Sequence, residues 1–443
     1  MKRAKYAELL KWKNSPERKP LVVDGARQVG KTWLIREFGK NEYRDMAYVN
    51  LEQDELARDI FDGSYEPKRI VARLAVHLSQ EIKPGETLIF IDEAQKNPRA
   101  LTMLKYFAEQ APEYHIVVAG SLLGIAIHQG ASFPVGKVDK ITIHPLTFAE
   151  FLMAYGKEQL AEALQAADFD LISPMHDEIM ELFWTYAVVG GMPEVVQTAL
   201  TDESLVRVRE VQMRILHDYE RDFSQYADKF TTPKIIEIFN IIPAVLAKEN
   251  KKFMFGMIKE SARAREYEGA LLWLIRAGVA SRVNRVTRVV LPLKAYMDLG
   301  AFKLFTLDIG LLGCQAGVAP EKILVQDDLR EFKGALAEQF VAQELVAHRK
   351  DNDYSGAIFY YSADDSRAEI DFVLDTGTDL IPIEVKSGKN LGSASLNSLL
   401  EANPKMRAVK FSTLPYKDNG QIINMPIYGV GAVRTYFAQK WCE

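Results

Sequence analysis

Eight consecutive residues, Gly25-Ala26-Arg27-Gln28-Val29-Gly30-Lys31-Thr32, have the types and spacing to hold a polyphosphate. They fit G-x-x-x-x-G-K-S/T and stand between an apolar run, Leu21-Val22-Val23, and a helix-prone stretch from Trp33 to Phe38. Glycines let backbone N–H groups turn toward phosphate oxygens, and a helix start adds partial positive charge. Lys31 is then placed to reach the β- and γ-phosphates, and the Thr32 hydroxyl to hold Mg2+. The plain alternative is a glycine-rich turn with a chance lysine. The strand-then-helix context favours the nucleotide site.

Some sixty residues downstream, Leu88-Ile89-Phe90-Ile91 reads as a buried strand ending in Asp92-Glu93. Ligands of open parallel sheets lie beyond the carboxyl ends of the strands, where these two acids fall. Asp92 is expected to support Mg2+, directly or through water, and Glu93 to orient and polarise the attacking water. Ile116-Val117-Val118-Ala119 is followed by Gly120-Ser121, so Ser121 is either a γ-phosphate sensor or ordinary turn chemistry.

Such a site needs a scaffold. From Lys19 to about Glu150 short apolar runs alternate with helical patterns, which predicts an α/β fold with a parallel sheet. The runs are Leu21-Val23, Ala47-Leu51, Leu88-Ile91, Ile116-Ala119 and Lys140-Ile143. From about Phe151 to Asp228 the spacing turns helical, broken by Gly190-Gly191-Met192-Pro193, and Pro233 opens a helix over Lys234–Ala247. Two more helices are expected next, then strands at Val279-Val283 and Phe302-Leu307; the tail reads helix, three strands, helix. At 443 residues the chain is too long for one core. A net charge of −5 argues against a global nucleic-acid-binding field. Two cysteines, Cys314 and Cys442, support neither a disulfide framework nor a zinc cluster. With no apolar run near membrane length and no signal-like start, the expectation is a cytoplasmic protein without a membrane partner.

Near the C-terminus Ala368–Leu374 and Leu380–Lys386 both alternate, separated by turn material at Asp375–Asp379. With the turn centred on Gly377-Thr378, Asp371 faces Glu384 and Glu369 faces Lys386. Opposed carboxylates repel unless a cation lies between them, and Mg2+ would resolve the conflict. Lys386 would then orient or deprotonate the attacking water, or stabilise developing phosphorane charge. Acid-alternating strands with a lysine are also common on exposed sheet faces. Pro382 suits an edge or bulge better than a central strand.

The loop Gly25–Thr32, Ile91-Asp92-Glu93-Ala94-Gln95 and Ala119-Gly120-Ser121 together resemble prokaryotic AAA-type ATPases, as does Pro145-Leu146-Thr147-Phe148-Ala149-Glu150-Phe151. The subgroup resembled carries a C-terminal domain of unknown function with a nuclease-like fold. Gly190–Glu194, Tyr267–Ala270 and Phe302–Gly310 extend the likeness along the chain. The resemblance implies an ATPase core at 1–150, a helical lid at 151–232, a basic winged helix at 233–315 and an α/β nuclease-like domain at 316–443. The spacing D-x(12)-E-x-K resembles the PD-(D/E)xK nuclease core, with Glu338 as the usual further acid. An arginine finger is not evident. Arg221 is one option, and a surface arginine paired with acidic neighbours is the other.

Between Lys251 and Ala295 ten Lys/Arg face three acids, a local excess of seven positive charges. A winged helix there would place them on DNA phosphates, and a solvated face, or a basic surface docked on the acidic remainder, is the alternative. The resulting expectation is an ATP- and Mg2+-dependent hydrolase acting on DNA. Its C-terminal domain would carry a Mg2+-dependent nuclease built from Glu338, Asp371, Glu384 and Lys386. The alternative is an ATP-dependent DNA- or protein-binding switch with a non-catalytic nuclease-like fold. A homo-oligomer, a ring included, is compatible with either.

Overall fold

A computed structural model describes the whole chain except residues 64, 122, 127–135, 203, 249, 326–329, 350–356, 365–367, 388–391 and 441–443; the side chains of Arg330 and Glu331 are also left aside. Cys442 therefore lies outside the described residues. The chain divides into two compact units: residues 2–144 with 276–278, and residues 145–275 with 279–443 and Met1.

The first unit is built on five strands, β1 Leu21–Asp24, β2 Asp45–Asn50, β3 Thr87–Asp92, β4 His115–Ala119 and β5 Asp139–Thr142. They lie in the order β2-β3-β4-β1-β5, all parallel. Each of the five matches an apolar run read from the sequence. β1, β3 and β4 are buried along their whole length, as strands covered on both faces must be. That is why they read as unbroken apolar runs and not as alternating ones. Ile89, Ile91, Ile116 and Val118 pack one face against Phe61, Leu74, Leu104 and Phe107 from the crossover helices.

In the second unit, helices occupy much of the chain from Phe148 to Arg276, including the long helix Leu205–Tyr226 and the helix Thr232–Leu246. Where two further helices were expected, there is one α-helix, Ala264–Arg276, and a single 3-10 turn at Phe255–Met257. Three motifs of the resemblance are tied together here. Thr147 and Glu150 form a capping box that starts the helix Phe148–Ala154. Leu146 N–H donates to the Gly191 carbonyl at 2.6 Å, and Gly191 N–H donates to Asp308 Oδ2 at 2.6 Å. Gly190 has φ +76°, and a Cβ there would sit 2.1 Å from Asp308 Oδ1, so only glycine fits.

The second unit also holds an eight-stranded mixed sheet in the order β12-β13-β11-β10-β9-β8-β6-β7. Its strands are β6 Ala280–Val286, β7 Met297–Thr306, β8 Ile358–Ser362, β9 Glu369–Asp375, β10 Leu380–Val385, β11 Ala408–Ser412, β12 Lys417–Asn419 and β13 Ile422–Pro426. The sequence reading missed β11 to β13, short segments interrupted by Lys410 and ended by Pro426. The strand expected at Val279–Val283 is β6, which runs on to Val286 past a bulge between Asn284 and Arg285. The β6–β7 hairpin does not stand apart. β6 pairs in parallel with β8, and Val286, Val289 and Leu293 share a core with Phe359, Ile370, Val373 and Leu380. The β9–β10 register follows the expected turn centre: Leu380 faces Asp375 and Ile383 faces Phe372. Pro382 does lie in a central strand. The ladder to β11 begins only at Ile383, so its missing N–H falls at the start of that ladder.

Candidate functional site

β1 delivers the chain into the phosphate loop. Gly25 has φ +137° and a Cβ there would meet the Ile143 carbonyl oxygen at 2.2 Å, so the first glycine of the motif is required sterically. Gln28 and Gly30 also take positive φ, at +65° and +93°. Gly30 is the N-cap of the helix Lys31–Glu42, whose start carries no side-chain cap. A helix start of this kind offers its N–H groups to an anion.

Lys31 is buried, and its Nζ donates to the carbonyls of Gly25 at 2.8 Å and Ala26 at 2.7 Å. Burial pulls its ammonium down to about 8, against the attraction of Glu93, Asp24 and Asp92. Thr32 Oγ1 donates to Asp92 Oδ2 at 2.9 Å, which joins the two expected Mg2+ holders. The other Asp92 oxygen accepts Glu93 N–H at 3.0 Å, and Tyr48 OH reaches Oδ2 at 3.4 Å. Glu93 sits at φ +52°, a left-handed conformation that a glutamate adopts only when its surroundings enforce it. Burial raises its carboxyl, and a hydrogen bond from the Gln95 side chain opposes the shift. Ser121 follows β4, which lies between β3 and β1, so it shares the sheet edge with Asp92 and the loop. The sequence reading had passed over Tyr48 and the side chain of Gln95; both lie beside the strand ends that carry the site.

Thr32, Asp92 and the loop fit a Mg2+-nucleotide. Their donors are a hydroxyl and a carboxylate for the ion, and glycine-shaped backbone with a buried lysine for phosphate.

Glu338, Asp371, Glu384 and Lys386 also come together in the second unit, with a partner the sequence reading did not include. Lys303, on β7, is 1% exposed. Its Nζ lies 2.9 Å from Glu369 Oε1, 3.4 Å from Glu338 Oε2 and 3.8 Å from Asp371 Oδ1. Lys251 pairs with the other Glu338 oxygen, and Lys386 Nζ holds Glu384 Oε1 at 2.7 Å. Asp371 Oδ2 accepts Val385 N–H at 2.8 Å. Burial, with Glu338 and Glu384 nearby, pushes the Asp371 carboxyl up to about 7 despite Lys303. Burial lowers a lysine, yet Lys303 is raised, because Glu338, Asp371 and Glu369 outweigh it. Among the described residues no three His, Cys, Asp or Glu are arranged to hold a metal ion. Arg221 is 82% exposed at its side chain and lies 3.6 Å from Asp218, one turn away on the same helix.

Three family models match the chain. Residues 17–152 match an AAA domain, residues 180–322 a domain of unknown function (DUF8612), and residues 333–428 a second one (DUF4143). No curated protein sequence matches. Similar solved structures include a Walker-type ATPase of Pyrococcus abyssi, 15% identical, with 71% of this chain and 95% of that one covered at a TM-score of 0.46. The ORC1 protein of Aeropyrum pernix, solved in complex with DNA, is 14% identical over 74% of this chain and 94% of that one, at 0.29. The RuvB Holliday junction branch migration motor of Thermotoga maritima is 12% identical over 64% and 90%, at 0.29. Likenesses this distant say nothing of activity. Among the described residues no helix is long and apolar enough to cross a membrane. The five-stranded parallel sheet, the loop geometry and the model matched over residues 17–152 make this part of the chain an AAA-type P-loop ATPase domain.

Proposed function

We propose that the chain binds and hydrolyses ATP with Mg2+ and uses the cycle to control a grip on DNA. The carrying observation is the 2.9 Å contact of Thr32 with Asp92 beside a Lys31 that, among the described residues, is held by loop carbonyls. Bound Mg2+ would neutralise charge on the β- and γ-phosphate oxygens. Lys31 would exchange two carbonyls for phosphate oxygens, a stronger charge-assisted contact. Glu93, raised by burial, would take the proton of the attacking water, with Ser121 sensing the γ-phosphate. Lys31→Ala should abolish nucleotide binding or turnover in a phosphate-release assay. Glu93→Gln should retain ATP and lose roughly two to four orders of magnitude in turnover. Full hydrolysis by Glu93→Gln would remove Glu93 from the mechanism.

The DNA half of the reading rests on the basic segment, part of which is spent internally. Lys251 is committed to Glu338, and Arg285 to Asp298, Asp364 and Ser362. Lys259, Arg263, Arg265, Arg288 and Lys294 are exposed. Duplex binding should weaken linearly in log salt, and Arg263→Ala with Arg265→Ala should lower that slope by about 2. An unchanged slope would take the segment off the DNA. Lys303 favours the second reading of the C-terminal domain, a holding fold that cuts nothing.

A further inference from the structure

Lys303 lies in the run Phe302-Lys303-Leu304-Phe305-Thr306, every residue of which is buried. A lysine is buried this deeply only when its charge is met, because an uncompensated ammonium in an apolar setting is strongly disfavoured. Here it is met by Glu369, Glu338 and Asp371, with the face of Tyr360 at 5.2 Å. Both Glu338 oxygens are engaged by lysines, and both Asp371 oxygens are engaged, one by Lys303 and one by a backbone N–H. Glu384 gives one oxygen to Lys386 and stands opposite Lys410 in the β10–β11 ladder. Glu338, Glu369, Asp371 and Glu384 are thus matched by Lys251, Lys303, Lys386 and Lys410.

Among the described residues two buried polar atoms of the cluster lack a hydrogen-bond partner, the Tyr360 hydroxyl and Glu384 Oε2, and of these only Glu384 Oε2 belongs to a carboxylate. A single oxygen falls far short of the near-octahedral shell that Mg2+ requires. An ion bound by Asp371 would also lie within a few ångströms of a lysine ammonium that has no exit to solvent, a repulsion that low-dielectric surroundings magnify.

We infer that Lys303 is the resident cation of this cluster, occupying the place a divalent metal would take, so that the C-terminal domain binds no Mg2+ at Asp371 and Glu384 and cleaves no phosphodiester. The lattice fastens β7 and the helix Arg330–Ala347 to β9 and β10 instead. This deepens the non-catalytic reading of the C-terminal domain and is independent of ATP hydrolysis at the other site.

The test counts bound Mn2+ by electron paramagnetic resonance, without nucleotide, in an Asp92→Asn background that disables the metal position of the phosphate loop. The Lys303-intact protein should hold no stoichiometric ion at millimolar metal. Adding Lys303→Met should create one site per chain, lost again on adding Asp371→Asn. One ion per chain in the Lys303-intact protein, lost on Asp371→Asn, would overturn the inference, as would a folded Lys303→Met protein that still binds none. Should Lys303→Met not fold, the count on the Lys303-intact protein decides alone. Mg2+-dependent DNA cleavage that vanishes with Asp371→Asn would also refute it. Neither readout depends on whether ATP is hydrolysed, so a failed ATPase assay leaves this result intact.

Discussion

Two buried lysines in this protein meet opposite fates. Lys31 rests on two backbone carbonyls, with acids nearby but, among the described residues, none in direct contact. Lys303 is held by three carboxylates within 3.8 Å. Burial works against the charge of both, and only Lys303 has enough formal negative charge to win, so the two shift in opposite directions. Neutral dipoles hold a cation loosely enough for a polyanion to claim it. Carboxylates keep it. Lys31 is therefore free to change partners, whereas Lys303 already has its counter-charges.

The largest expected effect lies in stability. Lys303→Met leaves the buried Glu338 and Asp371, with the half-buried Glu369 beside them, short of a cation, and loss of a buried partner costs about 3–5 kcal/mol. Lys31→Met leaves two carbonyls short of a donor and should cost about 1 kcal/mol or less. Urea unfolding of both variants checks the contrast, and equal costs would erase it.

A pH effect follows from Lys31. Its depressed value means the folded state binds fewer protons than the unfolded chain between about 8 and its ordinary value near 10.4. Stability should thus rise with pH across that window, and the rise should be absent in Lys31→Met. A triphosphate pulls the group back up, so ATP binding near pH 8.5 should take up protons. Calorimetry in buffers of differing ionisation enthalpy reads this directly; binding without proton uptake would contradict the dipole-held picture.

A third buried charge extends the comparison. Asp308 is wholly buried and held by the N–H groups of Gly191 and Leu311, so burial raises it to about 6 although those bonds oppose the shift. Its folded form keeps protons that the unfolded chain gives up between about 4 and 6, so stability should fall modestly as pH rises through that window. Asp308→Asn should flatten that slope at a cost of about 1–3 kcal/mol. A steeper slope in the variant would remove Asp308 from the group of dipole-held charges.

The backbone geometry of the loop Gly25–Thr32 was legible because it is local. Gly25, Gly30, Lys31 and Thr32 act through backbone turns and a helix start that eight adjacent residues specify, and β1 to β5 announced themselves as apolar runs because both faces of the sheet are covered. The register of β9 on β10, from Leu380 opposite Asp375 to Ile383 opposite Phe372, was legible for the same reason, since a tight turn sets register over a few residues. Lys303 was not. In its own strand it looks like one lysine among apolar neighbours, and nothing within ten residues says whether it faces water or acids. That was decided when β6 paired with β8 and brought the hairpin into the C-terminal sheet, gathering charges from Lys251 to Lys410. Short-range backbone geometry is written in contiguous residues, whereas charge compensation in a protein interior depends on which distant segments the fold brings within a few ångströms.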